Sequence, residues 1–152
     1  MAKEHLDTIA EIEKECFSVP WSREMLEAEL EKDNARFFAA YFDGEVAGYA
    51  GANNIAGEVY ITNVAVRERF RRRGIARALV ERLIFVSRQD GTAFVSLEVR
   101  QSNAAAIALY HGLGFLKVGE RKDFYEDPAE DAYIMTLFLK EDRGRTDEDS
   151  GD

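Results

Sequence analysis

Val64-Ala65-Val66, then Arg71-Arg72-Arg73-Gly74-Ile75-Ala76-Arg77, then Leu79, Val80, Leu83 and Ile84 form the stretch whose reading decides the fold. A short apolar run ends a strand, and a basic glycine turn follows it. Ala76, Leu79, Val80, Leu83 and Ile84 keep the i, i+3, i+4, i+7, i+8 spacing of one helix face. A helix start carries N–H groups with no earlier turn to bond and a partial positive charge, so it suits an anion such as a diphosphate. Gly74 lets the backbone approach that anion closely. The stretch has no Gly-Lys-Ser/Thr, so it is not a nucleotide-hydrolysing P-loop, and it lacks the glycine spacing of a dinucleotide fingerprint.

The surrounding sequence extends the alternation of strands and helices. Residues 58–66, rich in Val, Ile, Tyr and Thr, lead into the basic turn as a strand. Residues 36–42 and 46–53 read as a hairpin around Asp43-Gly44. Leu6, Ile9, Ala10, Cys16 and Phe17 mark one side of a first helix over residues 4–16, which Ser18-Val19-Pro20-Trp21 breaks. Ser22 suits the N-cap of a second helix ending near Asp33. Beyond the central helix, which Gly91 ends, residues 92–100 read as a strand. Residues 103–113 read as a short helix stopped at Gly114, and 115–125 and 132–139 as two closing strands. Residues 141–152 are polar and acidic and are predicted to form a disordered tail. No internal repeat and no second domain is visible.

Composition narrows the classes. A chain of 152 residues with 46% hydrophobic residues suits one globular domain with a real core. No apolar run is long enough to span a bilayer, and no signal peptide precedes the first helix. The one cysteine, Cys16, cannot form an internal disulfide, so a cytoplasmic protein without membrane contact is expected. The net charge of −9 disfavours non-specific binding to nucleic acid. In the tail, six acids against two arginines leave −4 of that charge. His5 and His111 are too few for a metal site.

Three polar residues could carry chemistry. In Phe94-Val95-Ser96-Leu97-Glu98-Val99-Arg100, alternation puts Val95, Leu97 and Val99 on one face and Glu98 on the other, with Ser96 and Arg100. Glu98 is open to two readings: a salt-bridged strand carboxylate, or a general base that takes a proton from an amine. Asn103 and Tyr110 stand seven residues apart, about two helical turns, and so face the same way. Asn103 is an N-cap or a ligand to a bound cofactor. Tyr110 is a core residue or a proton donor, since a phenol with an unperturbed pKa of about 10 is protonated at neutral pH.

These stretches resemble a known family. Arg/Gln-x-x-Gly-x-Gly/Ala after a strand is similar to the acetyl-CoA motif of the GNAT (GCN5-related) N-acetyltransferases, and the resemblance runs from about Leu6 to Leu139. Residues Leu97 to Tyr110, then Leu113-Gly114-Phe115, are similar to the RimI-type protein N-terminal alanine acetyltransferases. So are Cys16-Phe17-Ser18 with Pro20-Trp21-Ser22, Asn63 to Val66, and Arg121-Lys122 with Tyr125 and Glu130-Asp131-Ala132. The resemblance implies Glu98 as proton acceptor and Tyr110 as proton donor. It implies acetyl-CoA binding by the backbone of Val64, Ala65 and Val66 and by the turn of Arg71, Arg72, Arg73, Gly74, Ile75, Ala76 and Arg77, helped by Asn103. It places the Phe17–Trp21 loop near a peptide slot, and it implies the N-terminal alanine of ribosomal small-subunit protein 18 as substrate. The family begins with a strand before its first helix. Here only the stretch Met1 to His5, which runs into the start of that helix, is left for it, so this strand is expected to be very short or missing.

The reading is an α/β GNAT domain over residues 1–140, with a mixed, mostly antiparallel sheet flanked by about four helices, followed by the tail over 141–152. In the family the sheet splays between the strands ending near Val66 and Arg100. The expected activity is direct acetyl transfer from acetyl-CoA to the N-terminal amine of a ribosomal protein, by a monomer that uses no metal and contacts no nucleic acid. Alternatives are transfer to lysine side chains or small amines, and a non-catalytic acetyl-CoA-binding module. Arg67, Arg69, Arg71, Arg72 and Arg73 could form a nucleic-acid patch, but Phe70 is the one aromatic beside them and the chain is acidic. Cys16 lacks a histidine partner and reads as core. Phe17, Trp21, Tyr125 and Tyr133 are core residues or line the slot.

Overall fold

The computed structural model describes residues 2–139; the expected tail lies outside the described residues. In chain order the elements are α1 (Leu6–Cys16), α2 (Arg23–Leu30), β1 (Ala35–Phe42), β2 (Glu45–Ile55), β3 (Glu58–Val66), α3 (Ile75–Gln89), β4 (Phe94–Arg100), α4 (Ala104–Gly112), β5 (Leu116–Tyr125) and β6 (Glu130–Phe138). The six strands form one sheet in the order β1-β2-β3-β4-β6-β5. The β3–β4 pair is parallel and matches Glu58, Val59 and Tyr60 to Phe94, Val95 and Ser96. The β1–β2, β4–β6 and β5–β6 pairs are antiparallel. As expected, no strand precedes α1 among the described residues; Lys3–His5 form a 3₁₀ turn instead. No described helix is long and apolar enough to cross a membrane.

The chain packs as two compact units: residues 1–53 with 61–83, and residues 54–60 with the chain from Ile84 onward. In the first unit, Leu6, Ile9 and Ile12 of α1 and Leu26 of α2 form a core with Phe37, Tyr49 and Ala65. Ser22 caps α2 as its sequence predicts, with Oγ accepting from Met25 N–H at 3.1 Å. The helix ends at Leu30, three residues before the predicted stop. Asp43 and Gly44 both have positive φ (51° and 80°), the requirement of a tight two-residue hairpin. Phe17, predicted on the apolar side of α1, lies past its end and is 37% exposed.

In the second unit, Val95, Leu97 and Val99 of β4 are buried with Phe115, Met135 and Leu137. Beneath the other face, Ser96 Oγ and Thr136 Oγ1 form a buried pair at 2.9 Å. Asn103 caps α4, its Oδ1 accepting from Ala106 N–H at 3.1 Å. Gly114, at φ 101°, takes the left-handed conformation that turns the chain into β5.

Gly48 on β2 sets how closely the end of β3 can approach. A Cβ there would lie 2.5 Å from the Ala65 carbonyl oxygen and 3.1 Å from Val66 Cα. Both neighbours are backbone, so neither can swing aside. Gly48→Ala is expected to destabilise the protein by about 1–3 kcal/mol, the usual range for overpacking. Urea unfolding measures this, and an unchanged midpoint would show that β2 and β3 can separate at no cost.

Candidate active site

The first unit holds the predicted cofactor residues of β3 and the basic turn, and the second holds Asn103. Val64 is half-buried and Ala65 and Val66 are buried at the end of β3. The Val66 carbonyl accepts from Arg71 Nε at 3.0 Å and from Cys16 Sγ at 3.4 Å. One side chain of the turn is thus folded back onto the strand it follows. α1 is tied to the same place: Glu15 Oε2 accepts from Glu68 N–H at 2.7 Å, and Glu11 pairs with Arg67 at 3.3 Å. Burial pushes the Cys16 thiol above its ordinary pKa, against the pull of Arg71. A thiol held protonated is a poor nucleophile, which agrees with a packing role.

The turn itself is bent for close approach. Arg72 and Gly74 have φ of 66° and 76°, and residues 71–74 are all exposed. A Cβ built on Gly74 meets nothing within 4 Å, so the space beside this backbone is open. Ala78 N–H donates to Gly74 O at 3.0 Å. The N–H groups of Ile75, Ala76 and Arg77 therefore come before the first complete turn and have no helical carbonyl to bond. Arg73 lies over the Phe42 ring at 4.9 Å, and Arg77 pairs with Glu81 at 3.3 Å. Backbone donors, a positive helix end and open space together fit a diphosphate.

The second unit holds Glu98 and Tyr110. Glu98 stands opposite Ile134 in the β4–β6 register, with its side chain 29% exposed. Arg121 Nε on β5 lies 3.0 Å from Glu98 Oε2 and is itself 57% exposed. The strand alternation read from the sequence holds, and Glu98 is salt-bridged, the first of its two readings. Tyr110 is buried on α4, its ring centroid 5.7 Å from that of Phe115. Burial first, then the neighbouring Tyr125, pushes the Tyr110 pKa up to about 12. Tyr125 is pushed up to about 12 as well, by burial first and then by the charge of Glu98, with Arg100 opposing. Asn103 spends its side-chain oxygen on the α4 cap.

Arg100 organises the segment beside these residues. It lies over the Tyr125 ring at 4.4 Å, donates to the carbonyls of Pro128 and Glu126 at 3.0 and 3.1 Å, and pairs with Glu130 at 3.2 Å. Glu130 also accepts from Ser102 N–H at 2.6 Å. The Ser102 hydrogen bonds, above all, hold its carboxyl below the usual range. The β5–β6 connection is thereby stapled to the β4–α4 junction. The partners of Arg121, Tyr125 and Glu130 are not visible in the sequence, and neither is the setting of Glu13, which is 1% exposed and accepts hydrogen bonds from Tyr49, Asn63 and the Trp21 backbone.

The raised phenols predict an alkaline titration. A free tyrosine ionises near pH 10, so the fold favours the neutral form of both Tyr110 and Tyr125. Their contribution to stability is complete below about pH 10 and is lost as the pH rises through about 12. Phenolate absorbance should show late ionisation that Tyr110→Phe reduces. Ionisation of all six tyrosines near pH 10 in the folded protein would contradict it.

The Acetyltransferase (GNAT) family pattern matches residues 6–115. The ribosomal protein bS18-alanine N-acetyltransferase of Escherichia coli K12 is 38% identical over 128 residues, covering 83% of this chain and 86% of that one. The N-alpha-acetyltransferase RimI of Mycobacterium tuberculosis is 33% identical over 132 residues, 83% of this chain and 82% of its own. Among solved structures, the Escherichia coli ribosomal-protein-S18-alanine N-acetyltransferase superposes with a TM-score of 0.85 at 35% identity, covering 91% of this chain and 90% of that one. With a mixed six-stranded sheet and four α-helices among the described residues, and its basic glycine turn, this chain belongs to the GNAT acetyltransferase family.

Proposed function

We propose that this enzyme acetylates the N-terminal α-amine of a protein that begins with alanine, the ribosomal small-subunit protein S18 being the substrate suggested by its relatives. One observation carries the reading: the likeness to the Escherichia coli bS18-alanine enzyme runs over most of both chains, in sequence and in fold. Residues 1–140 are taken as the catalytic domain of a monomer acting in the cytoplasm, with no nucleic acid or membrane as partner.

Bound acetyl-CoA would supply an acetyl group activated as a thioester. The N–H groups at the start of α3, with Gly74 and the arginines of the turn, would hold its diphosphate. The backbone of Val64, Ala65 and Val66 would orient the thioester, one N–H of this strand polarising the carbonyl oxygen. Asn103 would steady the pantetheine arm.

Glu98 is assigned as the proton acceptor. A carboxylate that holds a cation in the resting protein is suited to hold the substrate ammonium in its place. Arg121 is exposed enough to swing away when that ammonium arrives. Once the proton has passed to Glu98, directly or through water, the neutral amine can attack. Tyr110 is assigned to the leaving sulfur. A phenol held near 12 keeps its proton until full negative charge develops beside it. It therefore first donates a hydrogen bond and gives up its proton late.

The amine's own chemistry favours a chain end. An α-amine, with a pKa of about 7.7–8.0, is roughly 30% neutral at physiological pH, whereas lysine, at about 10.4, is roughly 0.1% neutral. A carboxylate base suffices for the first and is poorly matched to the second.

Glu98→Gln and Tyr110→Phe should each lower kcat on an alanine-initiated peptide by about 10²-fold or more. Acetyl-CoA binding, followed by calorimetry, should be kept. The Glu98 variant should regain rate at high pH, where the amine is already neutral. Wild-type turnover by both variants at neutral pH would remove these assignments.

A further inference from the structure

The side chain of Arg71 is turned back from the basic turn onto the strand before it. Its Nε donates to the Val66 carbonyl at 3.0 Å, and its Nη2 lies 3.5 Å from Cys16 Sγ. Cys16 Sγ in turn donates to the same carbonyl at 3.4 Å. A carbonyl oxygen has two lone pairs, and both are engaged here. Arg71 is exposed as a whole, so these bonds rather than packing set where its side chain lies. All three residues belong to the first unit.

The Nε–carbonyl bond ties together two ends of a short segment. Inside it lies the 3₁₀ turn Glu68–Phe70, held by Phe70 N–H on the Arg67 carbonyl at 2.9 Å and by Arg71 N–H on the Glu68 carbonyl at 3.2 Å. Outside it the chain changes character. Residues 72–74 are exposed, and Arg72 and Gly74 have positive φ. Arg71 therefore fastens the chain to β3 immediately before the two left-handed residues that lead into α3.

A guanidinium can offer a diphosphate charge or directed donors. Here two of its three nitrogens already face Val66 and Cys16. We propose that Arg71 is a positioning residue for the cofactor: by holding the Val66 carbonyl it sets where the free N–H groups of α3 stand relative to the end of β3. This refines the acetyl-CoA reading of the turn and rests on it. In that reading the cofactor is gripped at two places, its diphosphate at α3 and its thioester at β3. Arg71 fixes the distance between the two grips, and the attraction of charge falls to Arg72 and Arg73. Groups fixed beforehand bind without an ordering cost.

Bond counting separates the two roles. The side-chain amide nitrogen of glutamine stands as many bonds from Cα as arginine Nε does. Arg71→Gln therefore keeps the donor and removes the charge. Arg71→Lys keeps the charge, but its Nζ stands one bond further out and lacks the planar fork. Arg71→Met keeps the length and removes both. Calorimetric titration with acetyl-CoA should give a Kd within about threefold of wild type for Arg71→Gln. For Arg71→Met it should be about tenfold weaker, as expected for loss of one hydrogen bond from a charged group. Arg71→Lys should bind more weakly than Arg71→Gln although it keeps the charge. Added salt screens exposed charges, so Arg72→Gln should flatten the salt dependence of binding more than Arg71→Gln does.

Equal affinities of Arg71→Gln and Arg71→Met would overturn the proposal. So would wild-type affinity in Arg71→Lys beside a weak Arg71→Gln, the signature of a charge in contact with the cofactor. A wild-type protein that binds no acetyl-CoA would remove the cofactor reading instead. Amide hydrogen exchange of the ligand-free protein then judges the tether by itself. Residues 72–77 should exchange faster in Arg71→Met than in wild type, and no faster in Arg71→Gln. Equal exchange in the two variants would overturn the tether.

Discussion

The first turn of α3 begins with N–H groups that no earlier turn can satisfy, and much of the first unit serves to present them. The chain reaches that turn through two positive-φ residues, Arg72 and Gly74. Arg71 is anchored back on the Val66 carbonyl, and Cys16 bonds the same oxygen. Glu15 holds the Glu68 N–H, so the end of α1 braces the entry to the turn. Gly48 removes the side chain that would keep β2 from closing on this part of β3. Each of these contacts is modest. Together they fix a short loop that would otherwise move, and a fixed set of donors binds an anion without spending free energy on ordering.

The second unit is organised around charge. Glu98 holds Arg121, and Arg100 gathers Tyr125, Glu126, Pro128 and Glu130. The two arginines differ in exposure: Arg121 is 57% exposed and Arg100 is 26% exposed. The more exposed pair is the cheaper one to break, as surface ion pairs contribute about 0–1 kcal/mol. In the proposed mechanism Arg121 is therefore the partner that an incoming ammonium would displace, while Arg100 keeps the β5–β6 connection in place. The phenols of Tyr110 and Tyr125 are neutral at physiological pH, as an ordinary phenol is, and burial raises them further, to about 12.

Much of this was legible in the sequence because it is local. The apolar spacing of α3, the Asp43-Gly44 turn, the Ser22 and Asn103 caps and the alternation around Glu98 all depend on neighbours within a few residues, and the structure bears each of them out. What was not legible is long-range pairing of polar groups. Glu13 reads as one more acid on an amphipathic helix. Helical spacing from Leu6, Ile9 and Cys16 puts it within the apolar stripe, but the partners that let its charge be buried there, Tyr49 and Asn63, lie 36 and 50 residues away. Arg121 and Glu98 sit on strands that are not adjacent in the sheet, so their pairing depends on strand order. Phe17 was assigned to the apolar face of α1 by spacing alone. The helix ends one residue earlier, and the same side chain turns outward.

The central claim is that the chain end of a protein receives the acetyl group. The direct measurement uses one peptide that begins with alanine and carries an internal lysine, incubated with acetyl-CoA and the enzyme. Fragmentation mass spectrometry then locates the new acetyl group. The account predicts it on the α-amine, with the lysine unmodified at low conversion. An acetyl group on the lysine, with the α-amine untouched, would contradict the account and move this enzyme to side-chain chemistry.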